Sequence, residues 1–159
     1  MITFRPMRSN EFPGYLDYFV PDYATEISTN YGLSSAAALA QAKREISEDL
    51  PDGADTPGQM LLCVIDDERG DDDAIGYLWY RPDKEPRSAF ICDFHILVAH
   101  QGNGYGKLAL SALEVILSDA GFEQIRLRVA ADNERAHHVY KVGGFRATGI
   151  NMSKRIGKV

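Results

Sequence analysis

The residues best arranged for chemistry lie at Gln101-Gly102-Asn103-Gly104-Tyr105-Gly106-Lys107. A glycine at every second position separates the apolar run ending at Val98 from a helix-patterned stretch between Tyr105 and Ala120. Glycine tolerates positive φ and keeps Cβ atoms out of the way. Backbone amides gathered at a helix start then face an anion, so the turn reads as a phosphate cradle. A P-loop would need Ser or Thr after Gly-Lys and a glycine five positions before Gly106; Leu108 and Gln101 stand there. The dinucleotide fingerprint fits loosely as Gly104-x-Gly106-x-x-Ala109, but the turn comes late and the next strand ends in Ala130-Ala131 with no acid. A third pattern, Gln/Arg-x-x-Gly-x-Gly/Ala, is matched outright by Gln101 to Gly106.

About 30 residues later comes Asn133-x-x-Ala136-x-x-x-Tyr140-x-x-x-Gly144-Phe145. With this pair of motifs the sequence resembles the GNAT superfamily of acetyl-CoA-dependent N-acetyltransferases, and the resemblance extends over nearly the whole chain. It implies a coenzyme A pyrophosphate on Gln101, Gly102, Asn103, Gly104, Tyr105 and Gly106, with Lys107 nearby. It also implies a pantetheine arm along Leu97 and Val98, with Asn133 and Ala136 flanking it. A backbone N–H near Leu97 would polarise the thioester carbonyl. Tyr140 matches the tyrosine that protonates the leaving thiolate, a role its phenol suits.

The base is harder to place. Relatives carry Glu or His at positions that fall on Phe90 and Cys92 here, and neither is a base of the usual kind. Asp93 is the best single candidate and His95 reads as structural. Strand alternation puts both on the opposite face unless a bulge shifts the register. A water relay from backbone carbonyls would also serve. Substrate selection is expected from Tyr23, Glu26 and Tyr31 at the first two helices, with Cys92 on the strand. His137 and His138 lack metal spacing, and no metal site is expected.

The elements that must position these residues follow from pattern. The chain has 159 residues, 45% hydrophobic and 25% charged, as expected of one globular domain. Residues 1–80 carry 15 Asp/Glu against 5 Lys/Arg, whereas residues 81–159 carry 8 against 12. This suits an anionic cofactor held by the second half and a cationic substrate by the first, and it argues against nucleic acid. No apolar run is long enough to span a bilayer and no signal peptide is evident. Cys63 and Cys92 read as reduced thiols, hence a cytoplasmic protein.

Ser9 is the expected cap of a first helix that Pro21 should kink or divide, with Gly32 at its end. Ser34 caps a second helix. Met60 to Ile65 and Ile75 to Tyr80 read as a hairpin, and Ala89 to Val98 as the strand feeding the turn. Gln124 to Ala130 and Phe145 to Met152 complete the strands. The expected fold is a single α/β domain over residues 1–159. It has a mixed sheet of six to seven strands and about four helices, and the resemblance implies a splay between the fourth and fifth strands. The resemblance makes a homodimer possible, and the function expected is acetyl transfer to an amine of a small molecule or peptide. A non-catalytic acyl-CoA sensor on the same fold is the alternative, and a nucleotide-binding domain a third reading.

Overall fold

Five strands lie in the order β1-β2-β3-β4-β5 in the computed structural model, which describes residues 1–157. They are β1 (Ile2–Pro6), β2 (Met60–Asp66), β3 (Gly76–Pro82), β4 (Ser88–Ile96) and β5 (Gln124–Leu127). The first four pair antiparallel, and β5 joins β4 in parallel. The helices are α1 (Phe12–Tyr31), α2 (Ser35–Asp49), α3 (Tyr105–Asp119) and α4 (Glu134–Val142).

Alternation along the strands sorts the core into two layers. Leu61, Cys63 and Ile65 of β2 and Trp79 of β3 meet Tyr15, Ala24, Ile27, Ala42 and Ile46 of α1 and α2. Val64 and Leu78, between them in sequence, meet Ala109, Leu110, Leu113 and Leu117 of α3 on the other face. The sheet is thus covered on both sides, and the α1–α2 pair stands opposite the helix that follows the glycine turn.

The caps of α2 and the end of α1 are as expected. Ser34 Oγ accepts from the Ala37 N–H at 3.2 Å, and Gly32 sits at φ 67°. The start of α1 differs. Residues Ser9–Glu11 form a separate 3₁₀ turn, and Glu11 is drawn into a bidentate pair with Arg5 at 2.7 and 2.8 Å. That guanidinium holds the Glu11 carboxyl down at about 2. Pro21 neither divides nor ends α1, which runs unbroken across it. The proline is exposed, so the carbonyl it leaves without an internal donor can face water.

The sheet has five strands among the described residues, not six to seven. β5 stops at Leu127 because residues 128–133 turn away from the sheet, and residues 145–157 form no strand. A strand there would pair with the free edge of a four-residue β5. From Arg146 onward every described residue is exposed, including Ile150 and Met152, so the segment has nothing to bury a strand face against.

Gly76 fixes the end of β4. It pairs with Ile96, and a Cβ there would lie 2.4 Å from the His95 carbonyl oxygen, which is backbone and cannot move aside. Gly76→Ala should destabilise the fold by about 2–3 kcal/mol through this overpacking, read as a lower urea midpoint with an unchanged m-value.

Candidate active site

The site begins with one extra residue in β4. Tyr80 pairs with Ile91, but its neighbour Trp79 pairs with Asp93, so Cys92 is a bulge with no partner of its own. Strict alternation would send Asp93 toward α3 with Ile91. The bulge turns it, and His95 after it, toward α1 and α2. At the same place β4 loses its other neighbour. Its pairing with β5 ends at Ile91–Leu127, while β4 continues to Ile96 paired only with β3. The splay between the fourth and fifth strands opens there, beside Asp93.

A cavity of about 850 Å³ occupies the space between α1, α2, the exposed length of β4 and the segment leaving β5. Asp93 lies in its wall. Tyr15 Oη donates to Asp93 Oδ2 at 2.8 Å and Tyr18 Oη to Oδ1 at 3.1 Å. Burial raises the Asp93 pKa to about 7, although the two phenol hydrogen bonds favour the carboxylate. His95 stacks on Tyr18 with centroids 3.8 Å apart, and burial depresses its pKa, which favours the neutral ring. Tyr140 packs edge-on against Phe145 at 5.4 Å. Burial and the charge of Asp93 push its phenol above the ordinary value.

Of the residues expected to choose the substrate, Tyr23, Glu26 and Cys92 line the cavity. Tyr31 does not; it is exposed, and its hydroxyl accepts from Arg128 at 3.2 Å. Arg128 also approaches Glu26 at 3.8 Å. Burial raises the Cys92 thiol to about 11, so it is a neutral lining group and not a nucleophile. The lining carries the carboxylates Asp22, Glu26, Glu45, Asp49, Asp93 and Asp132 against the guanidiniums of Arg81 and Arg128. Its field favours a cation.

The glycine turn has the shape a pyrophosphate needs. Gly102 and Gly104 adopt φ 82° and 77°, and the space where their Cβ atoms would stand is open. No side chain caps the start of α3 and no acid lies in its first turn, leaving the amides to an anion. Gln101 ties the turn down: its Nε2 donates to the Ile96 carbonyl at 2.8 Å, and its Oε1 accepts from Arg135. Asn133 lines the cavity and caps α4 through the Ala136 N–H at 3.1 Å. Lys107 and Val98 are exposed beside the turn.

Two expectations change. The Tyr105 side chain leaves the cradle, donating its hydroxyl to Asp66 at 2.7 Å, so only its backbone can face a phosphate. The Leu97 N–H is committed to the Ile75 carbonyl at 2.8 Å and is not free to polarise a thioester.

Four residues of the site escaped the sequence reading. Tyr15 and Tyr18, which hold Asp93, look like ordinary members of an apolar helix stripe. Glu45 looks like a solvated residue of α2. Arg135 brings a cation to the glycine turn, and its place two residues after Asn133 was the available signal.

Comparison with known proteins agrees with this geometry. The model of the acetyltransferase (GNAT) family matches residues 25–145. Two Bacillus subtilis (strain 168) proteins, each named an uncharacterized N-acetyltransferase, align along almost the full chain. YycN is 34% identical over 98% of this chain and 99% of its own length, and YdgE 26% identical over 97% and 98%. The crystal structure of YycN superposes with a TM-score of 0.90 at 32% identity, covering 99% of this chain and 100% of that one. The PaiA N-acetyltransferase of Thermoplasma acidophilum, solved with coenzyme A, shares the fold at a TM-score of 0.70 and 14% identity, over 95% of this chain and 93% of its own. The chain belongs to the acetyltransferase (GNAT) family and is an N-acetyltransferase that uses acetyl-CoA.

Proposed function

We propose that the protein acetylates a primary amine of a cationic small molecule or peptide, with Asp93 as base and Tyr140 as acid. The observation that carries this reading is the placement of Asp93. The Cys92 bulge aims a carboxylate with a pKa of about 7 into an acidic cavity where the strands part. A group with that pKa is ionised in most molecules just above neutrality, yet basic enough to accept a proton.

The residues around the glycine turn fit coenzyme A. The amides from Gly102 to Gly106 would hold the pyrophosphate, with Arg135 and Lys107 adding positive charge. The β4 edge past Ile91, including Leu97 and Val98, would lie along the pantetheine, with Asn133 and Ala136 beside it. When bound, acetyl-CoA supplies the acetyl group as a thioester. The amine enters as an ammonium drawn by the carboxylates and gives one proton to Asp93, directly or through a water. Its freed lone pair forms the C–N bond as the C–S bond breaks. The Tyr140 hydroxyl protonates the departing sulfur, and the second amine proton restores the phenol.

The use of acetyl-CoA and the two free thiols, Cys63 and Cys92, support a cytoplasmic location. A thiol-release assay with acetyl-CoA and a panel of amines tests the reading. The amine-dependent kcat/KM should fall about tenfold per pH unit below pH 7, as Asp93 takes up its proton. Coenzyme A binding without thiol release for any amine would point to the sensor instead.

A further inference from the structure

Glu45 on α2 is the polar group of the cavity that nothing so far explains. Its Oε2 is sealed from solvent and has no hydrogen-bond partner. A carboxylate oxygen in that state is costly to bury. Two other acids of the lining have partners: Glu26 lies 3.8 Å from Arg128, and Asp93 accepts from its two tyrosines. Glu45 forms no ion pair among the described residues, and Arg81, the other guanidinium of the lining, is stacked on Phe90 at 4.8 Å and lies 3.9 Å from Asp83.

Aromatic rings connect Asp93 to Glu45. Tyr15, Phe19 and Tyr23 fall four residues apart on α1 and stack in a row, with centroids 5.6 and 5.5 Å apart. Tyr15 holds Asp93 at one end of the row. At the other end burial, and after it a hydrogen bond to the Glu45 carboxyl group, raise the Tyr23 phenol, so it is the Oε2 atom alone that lacks a partner. Trp79 meets Phe19 edge-on at 5.7 Å and lines the same cavity. The cavity therefore carries Asp93 and Glu45 together with a π-rich wall of Tyr18, Phe19, Tyr23 and Trp79. Such a wall suits methylene groups and favours the ammonium groups that flank them.

We propose that the acceptor is a diamine or longer oligoamine, whose second ammonium is bound by Glu45 while the reacting amine lies at Asp93. The inference rests on the amine-acetylation reading above. Eight residues of helix separate Tyr15 from Tyr23, about 12 Å of axial rise. An extended chain gains about 1.2 Å per bond, so the two nitrogens should be separated by roughly ten bonds.

The probes are 1,8-diaminooctane and 8-amino-1-octanol, equal in length and differing in the distal charge. Thiol release from acetyl-CoA should show kcat/KM at least tenfold higher for the diamine, with the difference mainly in KM. Glu45→Gln should bring the ratio of the two kcat/KM values close to one. Because both amines are assayed on one preparation, any loss of folded enzyme cancels from the ratio. Equal kcat/KM in the unmodified enzyme, or a preference that survives Glu45→Gln, would overturn the second subsite while leaving amine acetylation intact. Thiol release with neither amine would overturn both.

Discussion

Asp93→Asn should lower kcat/KM by about 10²–10⁴ and at the same time make the protein more stable at pH 8. The loss of activity follows from removing the carboxylate at the splay that the reading above makes the base, since positioned general bases contribute about that factor. Geometry should survive the change. The carboxamide has nearly the shape of the carboxylate, its oxygen still accepts from one tyrosine, and its NH₂ can donate to the other. The fall of kcat/KM below pH 7 should disappear with the group that causes it. A variant that keeps that acid limb, or keeps near-normal turnover, would show that another group or a water relay removes the amine proton.

The gain in stability comes from the same burial that raises the Asp93 pKa. Its pKa is raised in the folded protein from 3.8 to about 7. Between those values the folded state binds a proton that the unfolded chain has released, so stability falls as pH rises through that window and levels off above pH 7. The full cost of carrying the charge is about 4 kcal/mol. Imperfect pairing of the carboxamide should leave about 1–3 kcal/mol of that as net gain in Asp93→Asn at pH 8. The advantage should shrink as pH drops below 7 and reverse near pH 4, where Asp93 is neutral and only the pairing cost of the carboxamide remains. Urea denaturation of the two proteins at pH 8, 6 and 4 measures it. Equal stability at all three values would mean that water reaches Asp93 and that its pKa is ordinary.

The parts of this site that could be read from sequence are those written in local backbone chemistry. The turn from Gln101 to Gly106 needs residues that accept positive φ, and Gly102 and Gly104 do so. Ser34 and Gly32 mark helix ends through interactions within one turn. The direction of Asp93 was harder to see because it is set between strands. Nothing in Phe90-Ile91-Cys92-Asp93 breaks a strand, and the bulge exists only in the pairing of β4 with β3. Tyr15 and Tyr18 satisfy the apolar stripe of α1 with their rings and the site with their hydroxyls, and periodicity registers only the first. Pro21 signals a break, yet an exposed position lets the helix absorb it. The strand expected after Phe145 has strand-like residues but a four-residue edge to join. Pairing is a property of two segments, and one of them is too short.

Tyr140→Phe should cut kcat by about 10²-fold or more while leaving the affinity for coenzyme A unchanged. The ring stays against Phe145 and only the hydroxyl is lost, so folding stability should change by no more than about 1 kcal/mol. The phenol is held above its ordinary pKa, first by burial and then by the negative charge of Asp93. It therefore carries its proton throughout the working range and can give it only to a strongly basic atom such as a departing thiolate. The charge of Asp93 thus adds to burial in keeping the Tyr140 phenol protonated. This coupling separates the two variants by their pH profiles. Tyr140→Phe should keep the acid limb near pH 7, because Asp93 is untouched, and should be slow across the whole range. Asp93→Asn should lose the limb. Steady-state kcat across pH 6 to 9, with calorimetric titration of coenzyme A, distinguishes them. If Tyr140→Phe turns over at the normal rate, the sulfur departs without this proton and Tyr140 is packing for α4; if it loses coenzyme affinity instead, its hydroxyl serves binding rather than proton transfer.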